Sequence, residues 1–147
     1  MSKTTEYTHM VFGTRGRELT IFGEHRRDLL NYMFYLLKEL GCYVYRINAM
    51  PDHVHLFFDK NKKMLVEDIA RIVKSKSSAW MKSSGFFPCF QGWCREYYSS
   101  SISPWDRDKI IGYVANQEQH HSEMKFVDEM KRLYKASGQA WDDRDMM

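Results

Sequence analysis

At 147 residues, with 44% hydrophobic and 28% charged side chains, the chain suits one compact globular domain with a modest core. The net charge of +3 and a sequence pI near 8.7 permit a phosphate-backbone partner without demanding one. No apolar run is long enough to span a membrane, no charged-then-apolar leader opens the chain, and Cys42, Cys89 and Cys94 lack zinc-site spacing. These features predict free thiols, a cytoplasmic location and no membrane partner. Aromatic residues reach 15%, a surplus that suits the core, a subunit interface or base stacking.

Tyr7 to Thr14 mixes aromatic and β-branched residues and predicts a first strand. Gly23 separates it from a helix over 24–40, where Leu29, Leu30, Met33, Leu37 and Leu40 recur at helical spacing. Gly41 is placed to stop that helix. Residues 42–49 alternate as a second strand, Pro51-Asp52 signals a turn, and residues 53–59 form a third strand, so these two make a hairpin.

A second helix is expected over 65–82, with Val66, Ile69, Val73 and Trp80 on one side and Ser83-Ser84-Gly85 ending it. Phe86 to Gly92 is irregular and aromatic, and residues 97–102 read as a short fourth strand. Ser103-Pro104-Trp105-Asp106 is a helix start: a serine cap, proline in the first position, and an acid near the positive end. A last long helix is expected from Pro104 to beyond His121. A domain over 1–135 is followed by a polar tail, 136–147, expected to be loosely held. The order β-α-β-β-α-β-α is the split βαβ, ferredoxin-like pattern, an α+β fold with helices packed on an antiparallel sheet. Such a fold hosts many functions and decides none.

Three groups carry chemistry. His53 and His55 lie two apart on a strand, so both imidazoles project from one face, forming half of a metal site. A bare pair of this kind also fits an ordinary solvated sheet face. Tyr113 and Gln117 lie four apart and share a helix face, with His120 near it one turn later. Taken alone, they also fit an amphipathic surface. Basic residues gather at Arg15 and Arg17, at Arg26 and Arg27, and at Lys74 and Lys76. Arg15, Arg17, Lys74 and Lys76 are candidates for phosphate contacts, with a solvated surface as the alternative.

Met50 to Phe58 (MPDHVHLFF) resembles the HUH motif, two histidines flanking a hydrophobic residue. Tyr113-Val114-Ala115-Asn116-Gln117, followed by His120-His121, resembles the helix that carries a single catalytic tyrosine. Together these motifs resemble the HUH single-tyrosine transposases of insertion sequences, the IS200-like and REP-associated branches. The resemblance runs from about Tyr7 to His121 and includes Val11-Phe12-Gly13-Thr14-Arg15 and Lys74-Ser75-Lys76-Ser77-Ser78. It departs from the family pattern at Cys94 and Glu96, where a glutamine and a glycine are usual.

The resemblance implies an HUH endonuclease fold and attack by Tyr113 on a DNA phosphodiester. A 5′-phosphotyrosine and a free 3′-hydroxyl would result. It also implies Mg2+ or Mn2+ held by His53, His55 and Gln117. Asp52, His120 and His121 are candidates for orienting a ligand, with turn formation or packing as the alternative. The partners implied are single-stranded DNA with hairpin ends and a second copy of the chain in a homodimer, in a bacterial or archaeal cytoplasm. Three rival readings remain: a non-catalytic or domesticated DNA or RNA hairpin-binding protein of the same fold, a different HUH enzyme such as a replication initiator or relaxase, and a metal hydrolase using an activated water. Replication initiators and relaxases with the same motif are larger than this chain.

Overall fold

The computed structural model describes residues 2–145, excepting the side chains of residues 120, 122 and 123. Four strands form one antiparallel sheet: β1 (Tyr7–Gly13), β2 (Tyr43–Met50), β3 (His53–Asp59) and β4 (Tyr98–Ser101), in the order β2-β3-β1-β4. Helices α1 (Arg26–Glu39) and α2 (Val66–Ser84) connect β1 to β2 and β3 to β4. This is the expected split βαβ arrangement, an α+β open sheet with helices packed on it. Pro51-Asp52 makes the tight turn that joins β2 to β3, and its register sets Met50 opposite His53.

Strand alternation divides the sheet into two faces. Met10, Phe12, Val54, Leu56 and Phe58 point to one face and join Leu29, Met33 and Leu37 of α1 and Ile69, Ala70 and Val73 of α2 in the main core. Phe87 and Phe90 of the aromatic stretch, with Trp93 just after it, complete that core, so these rings pack within their own chain. Trp93 is held by its indole N–H, which donates to Ser77 Oγ at 2.9 Å. Each fully buried large side chain here stabilises the fold by about 1.5–3 kcal/mol.

The opposite face carries His9, Val11 and Gly13 of β1 against Phe57, His55 and His53 of β3. It is covered by three helices rather than the single long one expected: α3 (Arg107–Ala115), α4 (Gln117–Glu123) and α5 (Phe126–Ala136). The break after Ala115 has an identifiable cause, contacts made by two side chains, one of them from the sheet. Asn48 of β2 donates its amide N–H to the carbonyls of Val114 and Ala115, at 3.0 and 3.4 Å. Gln117 Nε2 donates to the carbonyl of Tyr113 at 3.2 Å. Side chains thus satisfy carbonyls that a continuous helix would have bonded to its next turn.

Helix α5 is strongly amphipathic, burying Phe126, Met130 and Tyr134 against Val11, Cys94 and Tyr98. The segment beyond Ala136 is tied back by Trp141, whose ring stands edge-on to Tyr134, with centroids 5.2 Å apart. Among the described residues no helix is long and apolar enough to cross a membrane. All three cysteines are free thiols.

Candidate active site

His53 and His55 project from β3 into the layer between the sheet and α3–α5, and both are fully buried. Each is held through its Nδ1. His53 Nδ1 meets Asp52 Oδ1 at 2.6 Å, so the turn aspartate accepts its proton. His55 Nδ1 meets His9 Nε2 at 2.9 Å across the β1–β3 ladder. Both Nε2 atoms lie 3.4 Å from one atom, Glu129 Oε1 of α5. His121 Nε2 of α4 lies 2.9 Å from the same oxygen and 3.1 Å from Gln117 Oε1.

The nucleophile candidate meets this cluster directly. Tyr113 donates its hydroxyl hydrogen to Glu129 Oε2, the second oxygen of the same carboxylate. Its ring stands edge-on to His55 and His9, at centroid distances of 5.7 and 5.9 Å. The expected group His53, His55, Tyr113 and Gln117 is therefore gathered in one place within one chain, with Asp52 and His121 touching it. The His120 side chain lies outside the described residues.

A close approach of backbone and ring supports His53 from the other side. Phe126 stacks on the imidazole, with centroids 4.0 Å apart and planes 9° from parallel. Gly13, register partner of His53, makes room for that ring: a Cβ there would stand 2.9 Å from Phe126 Cε2 and 3.3 Å from the Asp52 carbonyl oxygen.

Burial and mutual charge set the protonation of the cluster. Burial pushes His55 down to about 4, although Glu129 opposes the shift. Burial and then His55 push His9 down to about 3. Burial also disfavours the charged form of His53, but the Asp52 hydrogen bond and the Glu129 charge outweigh it and raise the pKa. Burial alone would raise Glu129. The imidazoles of His121, His53 and His55 reverse that and hold its carboxyl well below the usual carboxylate range. Tyr113 is raised by burial and by the Glu129 charge, and so stays a neutral phenol.

The donor set suits a divalent cation. His53, His55 and Glu129 offer ligand atoms that all lie within 4.8 Å of one another. Among the described residues, His53 Nε2 is buried without a hydrogen-bond partner, because Glu129 approaches it outside hydrogen-bonding geometry. An orphaned imidazole lone pair is costly in a protein interior unless something coordinates it. Two imidazoles with nearby carboxylate and amide oxygens are ligand types that hold divalent metal ions.

Two members of the cluster, His9 and Glu129, were absent from the sequence expectation. His9 had a findable signal: it shares the strand parity of Val11 and Gly13, which face the HUH histidines across the ladder. Glu129 also had one, since it falls on the face of Phe126 and Met130 at helical spacing. The acidic pair Asp128-Glu129 nevertheless reads as an ordinary first turn.

The basic candidates separate. Arg15 and Lys74 line a cleft of about 410 Å³ with Arg71, Lys82 and Arg95 around a single carboxylate, Glu67. Lys74 is half-buried there; burial lowers its pKa, and its ammonium donates to the Arg95 carbonyl at 2.8 Å. Lys76 is exposed on α2 and does not line the cleft. Arg17 donates to the carbonyls of Asp143 and Asp145, at 2.9 and 3.0 Å, and sits over the Trp141 ring.

Against this geometry, the IS200-like transposase family matches residues 2–117, most of the chain and all of the sheet. The chain belongs to that family. Transposition and DNA binding come with the membership. The fold agrees with two solved structures. A candidate transposase from Deinococcus radiodurans R1 aligns with a TM-score of 0.63 at 23% identity, covering 79% of this chain and 93% of that one. A REP-associated tyrosine transposase bound to a REP hairpin aligns with a TM-score of 0.63 at 13% identity, covering 100% of this chain and 94% of that one. No curated protein matches the chain. The family match ends at Gln117, so Glu129 lies beyond it.

Proposed function

We propose that this transposase cuts and rejoins single-stranded DNA with Tyr113 as its nucleophile. The observation that carries the reading is the shared carboxylate: Glu129 holds the Tyr113 hydroxyl with one oxygen and faces both HUH histidines with the other. A nucleophile and an electrophilic centre one carboxylate apart suit attack on a single phosphodiester.

In this reading the Tyr113 Oη attacks the scissile phosphorus and the bond to the 3′-oxygen breaks. The products are a 5′-phosphotyrosine and a free 3′-hydroxyl, the departing 3′-oxygen taking up the one proton that the phenol gives up, while Glu129 Oε2 orients the attacking oxygen. Tyrosine suits both directions, because its reference pKa of about 10 makes it a better leaving group than an alkyl alcohol. The phosphotyrosine keeps the energy of the broken bond, so rejoining needs no ATP. Burial of the cluster excludes water, which would otherwise hydrolyse that ester.

His53, His55 and an oxygen from Gln117 or Glu129 would hold Mg2+ or Mn2+, which supplies charge stabilisation at the phosphate when bound. Asp52 fixes the tautomer of His53 so that its lone pair faces the cluster. His121 restrains both candidate oxygen donors, Gln117 and Glu129. The Arg15–Lys74 cleft would bind the phosphate backbone, as its cationic lining suits. Trp105, 93% exposed, is available to stack an unpaired base. Hairpin ends are proposed as the mark of the substrate, since one structural neighbour is bound to a REP hairpin. The homodimer remains part of the reading, although Tyr113 meets the histidine pair of its own chain. Light scattering of the purified protein checks it.

The test is cleavage of labelled single-stranded DNA from the flanks of the protein's own gene, with hairpins intact. Cleavage that requires Mg2+ or Mn2+, and that His53→Ala or His55→Ala abolishes while DNA binding persists, is expected. Full activity in either variant would remove the metal assignment. Binding without cleavage of a substrate shown to carry the correct ends would favour a hairpin-binding protein instead.

A further inference from the structure

The two HUH histidines are anchored differently. His53 passes its Nδ1 proton to a carboxylate, a common arrangement for metal-ligating imidazoles. His55 has no carboxylate at its Nδ1; its neighbour there is a second imidazole, His9 Nε2, at 2.9 Å. His9 is 1% exposed and comes from β1, two residues from His55's own partner Val11 and so on the same face. Its ring lies nearly parallel to His55, with centroids 5.2 Å apart and planes 17° from parallel. Tyr98 and Tyr113 stand edge-on to it, at 6.0 and 5.9 Å.

Two facing ring nitrogens at this separation share one hydrogen, so one ring donates and the other accepts. If His9 donates, the His55 proton sits on Nε2, where Glu129 Oε1 at 3.4 Å can accept it, and that atom is blocked as a ligand. If His9 accepts, the His55 proton sits on Nδ1 and the Nε2 lone pair faces the cluster that also receives His53 Nε2. Only the second arrangement lets both histidines coordinate one ion.

We infer that His9 is a positioning residue for metal binding: its Nε2 accepts the Nδ1 proton of His55 and thereby holds Nε2 of His55 as a ligand. The inference rests on the metal-site reading proposed above. Replacing His9 with an apolar side chain leaves the His55 Nδ1 proton buried without an acceptor. That favours the wrong tautomer.

The experiment is Mn2+ titration of the full-length protein without DNA, followed by electron paramagnetic resonance of the free ion. His9→Leu keeps an apolar body in the core but removes the acceptor. His9→Gln keeps a carbonyl oxygen near the position of Nε2. A loss of affinity of about 10–100-fold in His9→Leu, with His9→Gln within a few-fold of wild type, is expected. Equal affinity in His9→Leu and wild type overturns the inference. Equal loss in both variants overturns it too, because packing alone would then explain the effect. If His9→Leu does not fold, nitrogen-15 spectra of the Mg2+-loaded wild type decide: a hydrogen on His55 Nδ1 supports the inference and one on Nε2 ends it. Wild-type protein that binds no Mn2+ would remove the metal reading itself, and the role of His9 with it.

Discussion

At the scale of single residues, the site depends on Glu129. One of its oxygens holds the Tyr113 hydroxyl, and the other is faced by His53, His55 and His121. Gln117, fully buried, offers the competing oxygen. Substitution separates the two: if Glu129 is a ligand, Glu129→Gln weakens Mn2+ binding by about tenfold or more while Gln117→Ala leaves it nearly unchanged, and the reverse pattern assigns the role to Gln117. Calorimetric titration reads both. The histidine pair, Tyr113 and Gln117 were legible because strand period two and helix spacing four put them on common faces. Glu129 was not, since a carboxylate in the first turn of an amphipathic helix usually caps or faces solvent. Its spacing from Phe126 and Met130 puts it on the buried face, but only the docking of α5 brings that face to the histidines.

At the scale of elements, the expected strands and first two helices were legible from period and turn residues, to within a residue or two at their ends. The layer over the site was not. Its single expected helix is three, because Asn48 from a distant strand competes for the carbonyls of Val114 and Ala115, a tertiary contact with no local signature. Tyr113 sits in the last turn before that break. Asn48→Ala is therefore expected to cost about 1–3 kcal/mol by leaving buried carbonyls unsatisfied, and to reduce phosphotyrosine formation more than DNA binding. Urea unfolding and a gel-based binding assay read the two effects. An Asn48→Ala protein of unchanged stability would show that water or backbone N–H groups serve those carbonyls equally well. Gly13 is the second such point. Gly13→Ala forces Phe126 off His53 and is expected to destabilise by about 1–3 kcal/mol through overpacking.

At the scale of the whole molecule, buried histidines tie stability to pH. His9 and His55 titrate near 3 and 4 in the folded protein, below the reference value of 6.5. Their stabilising contribution is fully present above pH 6.5 and is lost as pH falls through those values, because the unfolded chain then binds protons that the folded one refuses. His53 has the opposite sign: its raised pKa gives a contribution fully present below pH 6.5, so it adds no slope between pH 6.5 and 4.5. Glu129 stays ionised throughout that window. In a chelating buffer the urea midpoint is expected to fall steadily from pH 6.5 to 4.5, and a flat profile would contradict the buried neutral pair. The cationic cleft acts at the same scale. Neutralising Arg15 and Lys74 together should lower the slope of log affinity against log salt by roughly two phosphate contacts, whereas an unaltered slope would move the backbone footprint elsewhere. The central claim is that Tyr113 becomes joined to DNA. Its most direct measurement is mass spectrometry of the protein–DNA adduct after protease and nuclease digestion. The account predicts a nucleotide attached through its 5′-phosphate to the peptide containing Tyr113, and no adduct in Tyr113→Phe. Metal-dependent cleavage with no phosphotyrosine anywhere in the digest would contradict it and point to an activated water.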